Sequence, residues 1–231
     1  MVDKPYQDKV WRHYRPGQCD DKQPSSEWFA AADRAIRVVR EREERAFARD
    51  PRTGRVPLNA ISVRQPWADL IASGVKNVEN REWTPPPVAK GHLIAIHAGK
   101  TVDREAWSSA YQIVAKLGLL DVFPAIKGFG KALVRAETMK PRAAQAEIKA
   151  AMAASSYGAI VAVARIENVV KASDSPWFFG PFGWELGDVT PLRPISCTGA
   201  QYLWIVRDPA LSEVRTSFAE HTRTQRKAVS A

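Results

Sequence analysis

The hydrophobic pattern changes period several times along the chain, and each change predicts an element. From Ser25 or Ser26, either of which can cap a helix, to about Arg49, the apolar residues Trp28, Phe29, Ala32, Ile36, Val39 and Phe47 follow one helical stripe. The opposite face mixes arginine and glutamate in balance, with Glu41 and Arg45 spaced for an i, i+4 pair. Between Asn59 and Trp83 the signal changes repeatedly. Ala60 to Val63 reads as a short strand. Pro66 suits the first position of a helix, where its missing N–H is not needed. Trp67, Leu70 and Ile71 then form an apolar stripe on a short helix, and Gly74 stands where a left-handed C-terminal cap belongs. Lys76 to Trp83 alternates, which places Glu79, Arg81 and Trp83 on one face of an extended segment and Val78 and Asn80 on the other.

Pro85-Pro86-Pro87 predicts a stiff connector. Leu93 to Ala98 reads as a buried strand on which His97 shares a face with Leu93 and Ala95, as a hydrogen-bonded core residue would. Thr101 or Asp103 can cap a helix running to about Leu117, with Trp107, Tyr111 and Val114 on one side. Residues 121–156 are basic, with an alanine-rich helical run from Ala143 to Ala154, and read as an insertion decorating the domain. Ala159 to Val170 is long, β-branched and nearly uncharged, the pattern of a central strand. Ser175 to Trp184 gathers aromatics among glycine and proline, either as a hydrophobic plug or as a stacking platform. Gly199 to Val206 reads as the last strand. A short helix and a basic tail holding Arg215, Arg223, Arg226 and Lys227 are expected to follow, the tail ending in disorder; residues 1–24 read as a loosely ordered polar arm.

The turn after the first strand brings ionisable and amide side chains together: Arg64, Gln65, Lys76, Glu79, Asn80 and Arg81, bracketed by Trp67 and Trp83, with Lys100 expected at the same rim. Such a group suits a flat, polar ligand. Lysine and arginine pair with phosphate or carbonyl oxygens, a carboxylate accepts from an amino group, and an indole stacks on a base. The same residues also suit an internal ion pair with both tryptophans in the core. Lysine and arginine number 34 against 25 aspartates and glutamates, a formal charge of +9 that favours a polyanionic partner.

Other classes recede. No apolar run is long enough to span a membrane and no signal-peptide core opens the chain, so a cytoplasmic protein is expected. Cys19 and Cys197 stand far apart, and His13, His92, His97 and His221 lack metal-ligand spacing, so neither a metal nor a cofactor is expected. The sequence holds no Gly-x-x-x-x-Gly-Lys loop, no Gly-x-Ser-x-Gly elbow and no paired-cysteine motif.

The run from Ile61 to Trp83, ISVRQPWADLIASGVKNVENREW, resembles the signature of the ASCH domain (activating signal cointegrator homology), a member of the PUA-like superfamily of small β-barrels. Gly180-Pro181-Phe182-Gly183-Trp184-Glu185-Leu186, then Leu192-Arg193-Pro194-Ile195 and Gly199-Ala200-Gln201-Tyr202-Leu203-Trp204, resemble its closing half. The resemblance implies an α+β fold, a small PUA-like β-barrel over 58–207 with a helical insertion around 121–156. An N-terminal arm and helix over 1–57 and a basic helix and tail over 208–231 flank it, so a fragment from Arg55 to Asp208 should hold the whole barrel. It also implies RNA, other nucleic acid or a free modified nucleoside held in the barrel cleft. The alternative it implies is a small amidohydrolase acting on acylated pyrimidine nucleosides such as N4-acetylcytidine, through a lysine, a threonine three residues later and a distant glutamate. Lys76 matches that lysine, Glu79 occupies the threonine position, and the distant glutamate is left unassigned.

Overall fold

The structure, a computed structural model, describes residues 30–229 apart from 32, 35, 36, 39, 40, 42–44, 50, 52, 53, 139 and 140. Its elements are β1 (Asn59–Val63), α1 (Trp67–Ala72), β2 (Val78–Arg81), β3 (Leu93–Ala98), α2 (Arg104–Lys116), α3 (Pro124–Thr138), α4 (Pro141–Ala153), β4 (Ala159–Val170), β5 (Phe182–Ser196), β6 (Leu203–Ile205) and α5 (Ala210–Val229).

Six strands form one mixed sheet in the order β2-β5-β4-β3-β1-β6. Only β1 and β3 run parallel, joined by a crossover through α1 and β2. Consecutive in sequence, β1 and β2 have three strands between them in the sheet, yet the Arg81 guanidinium on β2 donates to the Ser62 carbonyl on β1 at 2.8 Å. The sheet therefore curls into a half-barrel, bringing β2 near β1. Ile61, Ile94, Ile96, Ile166 and Trp184 fill the curl, with Trp83 and Phe47 packed in. On the other face of the sheet, Ala60, Ala95, Ile160 and Ile195 form a second core under Ala210 and Val214 of α5. The third core joins Leu70 of α1 and Val78 of β2 to Trp107, Phe129 and Ile148 of the helical layer.

Several expectations meet their elements closely. β3 and β4 have the bounds read from the sequence. Asp103 is the cap of α2, its carboxylate accepting from the Ala106 N–H at 3.0 Å. Gly74 lies at φ +77, one residue past the C-cap Ser73. Pro66 is the N-cap of α1 rather than its first helical residue.

Three others are corrected. The insertion buries Ile126, Phe129, Ala132 and Ile148, so α3 and α4 build a core with α2 rather than merely decorating the domain. The longest strand, β5, was not expected as a strand. The expected short helix and basic tail form α5, a helix of 20 residues. The arm over 1–24, most of the expected helix over 25–49, Cys19 and His13 lie outside the described residues, while Arg45 meets Glu41 at 3.4 Å. Among the described residues no helix is long and apolar enough to cross a membrane, and no group of three or more histidine, cysteine or acidic side chains could hold a metal ion.

Candidate functional site

The left-handed turn at Gly74 reverses the chain so that Lys76 runs back under α1, its N–H donating to the Leu70 carbonyl at 2.9 Å. Its ammonium, 2% exposed, donates to the Val78 carbonyl and to Glu79 Oε2, the latter at 2.8 Å. The other carboxylate oxygen, Oε1, lies 3.2 Å from Arg81 Nη2, which also holds Ser62. Burial acts to raise the Glu79 carboxyl. The charges of Lys76 and Arg81 and the hydrogen bond from Lys76 outweigh it, so its pKa falls below the ordinary glutamate value. The expected alternation along β2 thus produces a chain of charges, Lys76–Glu79–Arg81, satisfied almost wholly within the protein.

Asn80, on the other face of β2, clamps the aromatic loop. Its Nδ2 donates to the Trp177 carbonyl and its Oδ1 accepts from the Phe179 N–H, both at 2.7 Å. That clamp buries Trp177, edge-on to Trp67 at 6.4 Å, and presents Phe179 to solvent at 62% exposure. Trp83 is core, packed edge-on against Trp184 at 4.8 Å, with Tyr202 at 5.6 Å from its ring.

The remaining candidates stand apart from this group. Gln65 is fully buried and donates to Asp69 Oδ1 and to the Ser156 carbonyl, both at 2.7 Å. Arg64 is exposed and pairs with Asp103 at 2.6 Å. The Lys100 stem lies across Gly158, where an added Cβ would come within 2.7 Å of Cε. The structure therefore brings Lys76, Glu79 and Arg81 together, joins Asn80 to the aromatic loop, and sends Gln65, Arg64 and Lys100 elsewhere.

Ser62 was missed by sequence reasoning. Its carbonyl accepts from Arg81, its hydroxyl donates to the Ala200 carbonyl at 2.9 Å, and the same oxygen lies 3.1 Å from His97 Nδ1. His97 Nε2 faces the Cys197 carbonyl at 3.3 Å, and burial, aided by the Lys100 charge, holds its pKa below the ordinary histidine value. The signal lay in register: Ser62 pairs with His97 across the parallel strands.

A family model described as ASCH domain matches residues 61–176. Among solved structures, the chain resembles a crystal structure of ASCH from Zymomonas mobilis. The two are 16% identical, with a TM-score of 0.39, over 69% of this chain and 94% of that one. A serine-to-alanine mutant of the Zymomonas mobilis protein is also 16% identical, with a TM-score of 0.34, over 69% of this chain and 95% of the other. No curated protein matches the sequence.

Proposed function

This chain belongs to the ASCH domain family, and from that premise we propose that it is a nucleic-acid-binding module that takes RNA, or a modified base within it, at the half-barrel. The observation that carries this reading is the state of Lys76: 2% exposed, its ammonium is engaged by the Val78 carbonyl and the Glu79 carboxylate. A hydrolase needs a lysine and a carboxylate that can exchange protons with substrate and water. Here each neutralises the other, while Arg81 supplies Glu79 with a second cation. Binding requires only shape, donors and a favourable field, and the net charge of +9 supplies the field. The protein works in the cytoplasm as a reader rather than as an amidohydrolase.

The test is binding of single-stranded RNA across a salt series. With about three to five phosphates neutralised, log K falls against log salt with a slope of roughly −2 to −3.5. A flat response removes the reading. Incubation with N4-acetylcytidine, followed by chromatography, should yield no cytidine above a protein-free control; release at an enzymatic rate restores the amidohydrolase.

A further inference from the structure

Beside α1 the pairing of β4 with β5 is irregular. In the β4–β5 ladder, Ile160 pairs with Ile195 and Ala162 with Pro191. The single residue Val161 thus faces residues 192–194 of β5, a bulge of three residues against one. Proline at 191 and 194 has no N–H to give the ladder, which explains why pairing lapses there. Bulges of this kind recur beside binding sites because they splay the strand and re-aim its side chains. Here the bulge, α1 and the start of β4 line a cavity of about 440 Å³ that is open to solvent along Ser73, Gly74, Pro191 and Pro194; its volume is within the range of small-molecule sites.

Val161, Val189, Pro191 and Pro194 give this cavity rigid apolar walls suited to the faces of a flat ring. Asp69 is the one charged residue in its lining, and its carboxylate is fixed. Gln65 Nε2 donates to Asp69 Oδ1, the Asp69 N–H donates back to Gln65 Oε1 at 3.2 Å, and Gln65 is anchored on the Ser156 carbonyl. Among the described residues Oδ2 has no partner. Ser73, also in the lining, gives its hydroxyl proton to the Leu70 carbonyl at 2.8 Å and accepts from the Val75 N–H at 3.4 Å, so it has no proton to give a ligand. Ser156, the other hydroxyl of the lining, can turn its proton either way. The cavity therefore offers a fixed carboxylate between apolar walls and no cation, the reverse of a phosphate site.

We propose that this cavity is a base-binding pocket that selects guanine by its Watson–Crick edge. Guanine presents two adjacent N–H donors there, which a carboxylate accepts side by side, here through Oδ2 and the lone pair of Oδ1 that Gln65 does not use. Uracil presents one N–H flanked by carbonyl oxygens that a carboxylate repels, and adenine and cytosine each offer an amino group beside a ring acceptor. The proposal rests on the nucleic-acid reading above and makes it specific: the phosphates stay outside in the basic field while one base enters.

The experiment titrates the full chain with guanosine, adenosine, cytidine and uridine by NMR and calorimetry. Guanosine should bind about tenfold or more tightly than uridine, as expected for a site built to meet donors. Its shifts should fall on the amides of Ser73, Val161 and Val189. Asp69→Asn keeps an acceptor for Gln65 and should leave the melting temperature unchanged while abolishing the preference. Equal binding of the four nucleosides, a preference that survives in Asp69→Asn, or shifts confined to Trp83 and Tyr202 overturns the pocket. If Asp69→Asn does not fold, the wild-type shift map and the nucleoside ranking decide alone. Salt-dependent RNA binding without any guanosine preference overturns the pocket and leaves the nucleic-acid reading standing. Guanosine preference without salt-dependent RNA binding does the opposite.

Discussion

α1 separates two groups of polar side chains that look alike in sequence and differ in what their atoms already hold. Toward β2, Lys76, Glu79 and Arg81 carry three formal charges, and each charge is met by another or by a backbone carbonyl. Toward β5, Asp69 brings one charge, half satisfied by Gln65, into a cavity without a cation. The first group is rich in residues associated with chemistry, and its unmet donor, Arg81 Nε, is buried away from solvent; the second has few such residues and turns its unmet carboxylate oxygen to a cavity. Density of charged residues in a motif therefore measures how strongly a fold is specified at that point as readily as how it functions. Capacity to bind follows from unsatisfied donors and acceptors facing space.

The sharpest way to break this contrast is to remove the lysine. Lys76→Met keeps the stem and deletes the charge, leaving Glu79 buried with Arg81 alone. Loss of one partner from a buried pair costs about 3–5 kcal/mol, so chemical unfolding should show a large fall in stability. A change under about 1 kcal/mol, the scale of exposed pairs, would mean that the group is open to water and free to meet ligands.

Acid sharpens the same point. Because the folded Glu79 pKa is depressed, its contribution is present above the unfolded value of about 4.3 and is lost as pH falls through the folded value. Unfolding free energy of the wild type should thus decline below about pH 4, and Lys76→Met should show a shallower decline. Parallel pH curves for the two proteins would show that the depression arises elsewhere than in this pair.

A smaller effect is expected at the loop held by β2. Asn80→Ala removes both hydrogen bonds to the segment 177–179 and should cost about 1–3 kcal/mol. Amide exchange should accelerate at Phe179, whose N–H loses its acceptor. Unchanged exchange there would show that Trp177, packed on Trp67, fixes the loop without the amide.

Much of this was legible from local signals. β1, β3 and β4 announced themselves by β-branched runs, α1 by the spacing of Trp67, Leu70 and Ile71, and α2 by Asp103. Gly187, Pro191 and Pro194 interrupt the alternation of β5, so its longest run of pairing was hidden by the same residues that form the bulge. The basic charges of α5 drew attention from Leu211, Val214 and Phe218, whose helical spacing packs it against the sheet. The candidate residues on β2 could be found because they are adjacent in sequence, but whether Lys76 is sealed depends on carbonyl positions that no residue type encodes. Asp69 reads as an ordinary solvent-facing position of a short helix. Only the distant β5 bulge gives it a cavity.

Arg64 tests the contrast at its weakest point, because it belongs to the same sequence cluster as Lys76 and shares none of its burial. Its guanidinium side chain is 68% exposed and meets Asp103 at 2.6 Å. Asp103 keeps its role as the cap of α2 through the Ala106 N–H, the chief cause of its lowered pKa, whether or not the arginine is present. Arg64→Ala should therefore change stability by under about 1 kcal/mol, as exposed pairs do. Its effect on RNA is of another kind. A cation that neutralises one phosphate of a single strand adds roughly 0.7 to the magnitude of the salt slope. If Arg64 is such a contact, the variant's slope is shallower by about that amount with the melting temperature intact. Lys76→Met should do the converse, a lower melting temperature with the slope unchanged when measured well below unfolding. An unaltered slope in Arg64→Ala would place the phosphate path away from the signature turn altogether. The basic residues of the helical layer would then be the next to substitute, beginning with Lys149 and Lys131.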